Sequence, residues 1–185
     1  EPERLEKQVA HLQKYPDVAC LGTSVNEIIV DSQSHTVSKD NFVDNLRKNI
    51  YPSRLVKEDI HHLANIENDE IYNKYLKFKL CKNGSVLINR KVLQYLGGWD
   101  GKTKIAADTD LFIRILSIGT IHNLAAPLYN RYFHKKSLTA SKEFGIGSKI
   151  RKQYNLSRSK VIKQTLQGNP VIEDMWYPEA NICVV

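Results

Sequence analysis

Leu5, Val9 and Leu12 recur at i, i+4 and i+7 among charged neighbours. That spacing predicts an amphipathic helix from about Pro2 to Lys14. Pro2 suits a first helical turn, and Tyr15-Pro16-Asp17 stops it. Val18 to Val30 is rich in small and β-branched residues and reads as a strand, followed by the polar turn Asp31 to His35. From Lys39 to Lys79 the chain is polar and reads as mostly helical, with apolar points at Phe42, Leu46, Leu55, Leu63 and Ile71.

Asn83-Gly84 leads into a short strand, Ser85 to Arg90, and then a brief helix, Lys91 to Leu96. Gly97-Gly98 ends that helix, because glycine takes positive φ at no steric cost. Leu111, Phe112, Ile115 and Leu116 have helical spacing until Gly119 stops it. Thr120 to Tyr132 reads as a strand interrupted by Pro127. Two basic helices, near Lys142 to Tyr154 and Ser157 to Gln167, close the pattern. Helices alternating with a few strands argue for an α/β or α+β architecture.

Composition narrows the class. The 185 residues fit one ordinary domain, and 42% hydrophobic with 25% charged residues is a globular balance. Three scattered cysteines (Cys20, Cys81 and Cys183) are too few for a disulfide scaffold or a zinc site, and fit a reducing compartment. The net charge of +7 is uneven: between Arg131 and Lys163 there are ten basic residues and one acid, Glu143, so this window carries +9. Such a window is either a solvated helix face or a field for anions such as nucleotide phosphates, acidic lipid headgroups or nucleic acid. Its few aromatic residues do not form the interleaved stacking pattern of single-strand binders, so nucleic acid is not expected. No P-loop, GxSxG, HExxH or GxGxxG motif is present, which leaves the corresponding kinase, protease and dehydrogenase readings without support.

Three groups of residues could carry chemistry. Asp108 and Asp110 fall at the start of a predicted helix, where carboxylates cap the free N–H groups. The other reading makes one of them a base that removes a proton from an attacking hydroxyl. Trp99 beside Asp100 offers a flat apolar face and a carboxylate, which suits a sugar, although a packed core tryptophan is the equal alternative. His134 with Lys135 and Lys136 could hold a divalent ion and phosphate, or lie on the surface. The adjacent His61-His62 reads as surface.

In order, these pieces resemble the family 2 glycosyltransferases of the GT-A fold. Pro2 to Val18 looks like the helix and turn that follow the family's metal-binding DxD segment. Asn83 to Leu93, then Leu96-Gly97-Gly98-Trp99-Asp100, is similar to the strand, arginine and "GGFD" loop on the acceptor side. Ala106-Ala107-Asp108-Thr109-Asp110-Leu111 with Arg114 resembles "(A/G)EDxDLxxR", with Ala107 in place of the glutamate. Pro127-Leu128-Tyr129, His134 and Ser137-Leu138 resemble "PLYRYRxHxxSLS", with Tyr132 where an arginine is expected and Arg131 beside it.

The resemblance implies an α/β chain forming the C-terminal part of a GT-A mixed sheet, with flanking helices and a basic helical tail. Residues 1–140 would be the acceptor-side half of the domain, and residues 141–185 the tail and the start of a further element. The family's nucleotide-binding half is not in this sequence. An assembled enzyme would therefore need that half or a second copy. The implied reaction is inverting transfer of a sugar from a nucleotide-diphosphate donor to a glycan or lipid-linked acceptor. Asp108 would be the general base, with Trp99, Asp100 and Asp110 on the acceptor or sugar. Lys135, Lys136 and Arg131 would meet the diphosphate, and His134 a manganese or magnesium ion. The expected location is cytoplasmic, with peripheral contact at an anionic membrane through the basic window. The alternative is a non-catalytic assembly module that docks on a membrane or partner through that tail.

Overall fold

The computed structural model describes residues 1–29, 46–49, 51–60, 80–101, 105, 107–134, 137–145, 147–153 and 165–168. Its elements are α1 (Arg4–Lys14), β1 (Val18–Ile29), β2 (Leu46–Asn49), β3 (Arg54–Leu55), β4 (Leu87–Ile88), α2 (Arg90–Tyr95), α3 (Ala107–Ile118) and β5 (Thr120–Phe133). The protein is mixed α/β, with a mixed sheet and flanking helices. Among the described residues no helix is long and apolar enough to cross a membrane.

Strands β1 and β5 run parallel from Val18↔Thr120 to Ile29↔Phe133 and form the centre of the sheet, in the order β2-β1-β5-β3. Both β2 and β4 pair antiparallel with β1, β4 at Cys20–Leu21 and β2 at Val25–Ile28. Strand β3 pairs antiparallel with β5 at His122 and Ile121. A parallel pair needs a crossover, and α3 supplies its last part: it ends at Ile118, and the chain turns at Gly119 directly into β5.

Pro127 sits inside β5 rather than ending it. The register with β1 shifts at Ser24↔Pro127, and β3 covers the other edge only at Ile121 and His122, so the missing N–H leaves no broken ladder there. Gly119 serves by its lack of a side chain, since a Cβ there would come within 2.7 Å of the Ala19 Cβ. Gly97 and Gly98 both take positive φ, 77° and 72°, as the turn after α2 requires.

The structure departs from the hydrophobic pattern in four places. Leu46–Asn49 and Arg54–Leu55, within the stretch read as mostly helical, are strands, because the edges of β1 and β5 offer ladder partners that outweigh local propensity. The strand read over Ser85 to Arg90 is shorter: Asn83–Ser85 is a 3-10 turn, and only Leu87–Ile88 pair. The start of the helix read from Lys142 is a turn, and helical residues begin at 149, whereas most of the second basic helix lies outside the described residues.

The fourth departure concerns α1. Its apolar stripe is not its buried face: Leu5 and Val9 are 46% and 47% exposed, and the residue buried completely is Gln8. The Gln8 amide donates to Leu21 O at 3.0 Å and Ser85 O at 2.8 Å, tying α1 to β1 and to the 3-10 turn.

The core gathers Cys20, Leu55, Ile60, Leu80, Val86, Leu96 and the apolar face of α3, with Trp99 packed against it. Inside it lies a charge. Arg114 is 1% exposed and its guanidinium donates Nε to Asp110 Oδ2 at 3.0 Å, Nη1 to Leu96 O at 2.7 Å and Nη2 to Gly98 O at 2.7 Å. It therefore fastens α3 to the Gly97-Gly98 turn.

Arg114→Met is expected to destabilise the fold by about 3–5 kcal/mol, because the buried Asp110 carboxylate loses its ion pair with Arg114. Urea melts at pH 7 measure it; a loss below about 1 kcal/mol would show that the clamp carries little. A second pair of variants tests α1: Gln8→Leu should cost about 1–3 kcal/mol, while Leu5→Ser should stay within about 0.5 kcal/mol.

Candidate functional site

Asp108 lies in the first turn of α3 and is half-buried. Its Oδ1 accepts the Thr109 N–H at 2.9 Å, which fixes the carboxylate at the helix start. Because α3 turns back at Gly119 into β5, its beginning lies toward the carboxyl ends of the central strands. In open α/β sheets that end of the strands is where ligands bind.

Residues far apart in the chain lie within electrostatic reach of Asp108. Its charge reaches Tyr51, Cys81 and Lys82. Glu27 of β1 and Arg131 of β5 stand opposite each other in the parallel register and form an ion pair. Their charges also reach Tyr51 and Lys82. The result is one electrostatically coupled group of two carboxylates, two cations, a phenol and a thiol, drawn from β1, β5, the start of α3, the segment between β2 and β3 and the segment before β4.

Burial sets the ionisation of this group. The Lys82 ammonium is held below its ordinary pKa by burial first and the Arg131 cation second, against the opposing pull of Asp108 and Glu27. The Tyr51 hydroxyl is pushed up to about 12 by burial, then by Cys81 and Glu27. The Cys81 thiol is pushed well above its ordinary value by burial and by its hydrogen bond with Cys20. At neutral pH both the phenol and the thiol are thus protonated, which makes Tyr51 a hydrogen-bond donor and Cys81 a poor nucleophile.

The sequence-predicted residues are placed unevenly. Asp110 is buried at 3% exposure in its pair with Arg114, so its visible task is to hold the turn rather than face a ligand. Trp99 is half-buried against the core and Asp100 is half-buried beside it, both carried on the turn that Arg114 fastens. Arg131 is engaged by Glu27, by Thr139 Oγ1 at 3.1 Å and by the Phe133 ring, whose centroid is 5.3 Å from its Cζ. His134 is exposed just beyond β5, where its carbonyl accepts the Ser137 N–H at 2.9 Å. Lys135 and Lys136 lie outside the described residues. Among the described residues no three ligating side chains converge.

The opposite end of the strand pair holds a second group. His11 Nε2 of α1 lies 3.1 Å from His122 Nδ1 of β5, and the Tyr15 ring closes on both, with centroids at 4.7 and 5.7 Å. They line an open cleft of about 630 Å³ with Lys14, Asp17, Ser53, Arg54 and Thr120. Burial lowers both imidazoles below their ordinary pKa, helped at His11 by Lys14 and at His122 by His11 and Arg54.

No protein-family model matches the chain, and no curated protein matches it.

The histidine pair gives the fold a pH dependence with a defined sign. In the unfolded chain each imidazole takes a proton near pH 6.5, and in the folded chain only at lower pH. The unfolded state thus binds more protons in the window below 6.5, so stability falls as pH drops through it. Urea midpoints should decline from pH 7 to pH 5, and the His11→Gln/His122→Gln variant should flatten that decline. An equal decline in both proteins would place the effect elsewhere.

Proposed function

We propose that the chain is the acceptor-side part of a GT-A glycosyltransferase of family 2, and that Asp108 is its general base. The observation that carries this reading is the position of Asp108. It is a half-buried carboxylate on the first turn of α3, toward the carboxyl ends of the central strands, among Lys82, Tyr51 and the Glu27–Arg131 pair. An isolated helix cap requires no such company.

In the proposed reaction an acceptor hydroxyl lies against Asp108, and the carboxylate accepts its proton as the oxygen attacks the anomeric carbon of the donor. The bond from that carbon to the nucleoside diphosphate breaks, with inversion, and the diphosphate leaves with the bonding electrons. Negative charge grows on the leaving group, and Lys82 is the nearby cation to meet it, with Lys135 and Lys136 as further candidates by resemblance. Trp99 and Asp100 would hold the acceptor or sugar from the adjoining turn. The divalent ion, manganese or magnesium, remains an expectation of the resemblance. Its ligands are not assembled among the described residues, and no step above is routed through it.

The donor is a nucleotide-sugar and the acceptor a glycan or lipid-linked glycan. Cytoplasmic residence, with the basic segment against an anionic membrane face, accompanies this reading. The competing reading, a non-catalytic module that docks through that segment, makes no use of Asp108.

Asp108→Asn separates the two. In the enzyme assembled with its nucleotide-binding half, transfer of labelled sugar from a panel of nucleotide-sugars, with manganese or magnesium present, should fall by about 10²–10⁴-fold, while circular dichroism stays native. Undiminished transfer by the folded variant would remove Asp108 from the chemistry.

A further inference from the structure

We propose that His11 and His122 form a binding site for a divalent transition-metal ion of the zinc class, held by His11 Nε2 and His122 Nδ1 with its remaining coordination positions open to the cleft. The geometry carries it. Two imidazole–zinc bonds of about 2.0–2.1 Å meeting at about 90–110° place their nitrogens about 2.9–3.4 Å apart. The observed separation of 3.1 Å falls in that range, with the two ring nitrogens facing each other from different elements. The ring centroids stand 5.3 Å apart at 71°, so neither ring stacks over the other's ligating edge.

The hydrogen bond between the rings suits a metal, because it requires at least one imidazole to be neutral, with a lone pair to give. One ring now donates its N–H to the other. On binding, that ring carries its proton on its other nitrogen instead, and both facing nitrogens become ligands with no net proton released.

The surrounding charges set the choice of ion. Lys14 and Arg54 line the cleft and oppose a dication, and Asp17 offsets part of this. Only an ion that bonds strongly to imidazole overcomes that field, which favours Cu²⁺, Ni²⁺ and Zn²⁺ over Mg²⁺, Ca²⁺ and Mn²⁺. The same two cations favour an anion, such as chloride, phosphate or a carboxylate, in the open positions. Because α1 and β5 each supply one ligand, the ion would also staple the helix to the sheet.

The test uses the full chain freed of metal. Calorimetric titration with Zn²⁺ should give one saturable site per chain, and Mg²⁺ should give none at equal concentration. His11→Gln and His122→Gln should each weaken Zn²⁺ binding at least tenfold, while His35→Gln should leave it unchanged. A readout that needs no variant is acylation of histidines by diethyl pyrocarbonate with peptide mapping: Zn²⁺ should protect His11 and His122 and not His35. Absence of saturable Zn²⁺ binding, unchanged binding in folded His11→Gln and His122→Gln, or protection that falls on other histidines alone would each overturn the proposal.

Discussion

The guanidinium of Arg114 is the interaction on which the arrangement of the molecule turns. A buried cation is tolerated only when its hydrogen-bonding capacity is met, and Arg114 meets it with one carboxylate and two backbone carbonyls. Those partners belong to different parts of the chain. Asp110 is one turn back on the same helix, while Leu96 and Gly98 belong to the turn after α2. The positive φ of Gly97 and Gly98 shapes that turn beneath the arginine. That contact fastens α3 to the turn that carries Trp99 and Asp100. Asp110, which shares its motif with Asp108, is thereby a positioning residue, and the two carboxylates of one Asp-X-Asp segment have different work.

Much of the local structure was legible in the chain. The four apolar residues of α3 announced its buried face, and Gly97-Gly98 announced the end of α2. The β-branched run after Asp17 announced β1. Where the pattern misled, a long-range partner decided the outcome. Leu5, Val9 and Leu12 have the spacing of a core-facing stripe, yet the helix turns Gln8 inward because two backbone carbonyls, Leu21 O and Ser85 O, needed a donor more than the core needed those side chains. Likewise Leu46–Asn49 and Arg54–Leu55 became strands because β1 and β5 left edges to be paired. Neither fact has a local signature.

The candidate site was legible only where it was local. Asp108, Trp99 and Asp100 could be picked out because each sits in a short motif. Glu27, Tyr51 and the adjacent Cys81-Lys82 could not, since they come from three separate segments in no recognisable spacing. What relates them is the parallel register that sets Glu27 beside Arg131, whose charges, with that of Asp108, reach Lys82. The His11–His122 contact was hidden for the same reason, being a helix residue and a strand residue more than a hundred positions apart.

These two groups lie at opposite ends of one pair of strands, and the difference bears on what each can do. The Asp108 group gathers at the carboxyl ends, where charge of both signs and protonated donors converge, a composition suited to moving a proton beside a phosphate leaving group. The histidine pair lies at the amino ends, with two cations and one carboxylate around neutral imidazoles. An ion there is held by imidazole nitrogens, a donor type that the Asp108 group lacks. Glycosyl transfer with manganese or magnesium and zinc-class binding at His11 and His122 therefore stand or fall separately. The first depends on a carboxylate and an oxygen-loving ion, the second on two imidazoles that such ions bind poorly.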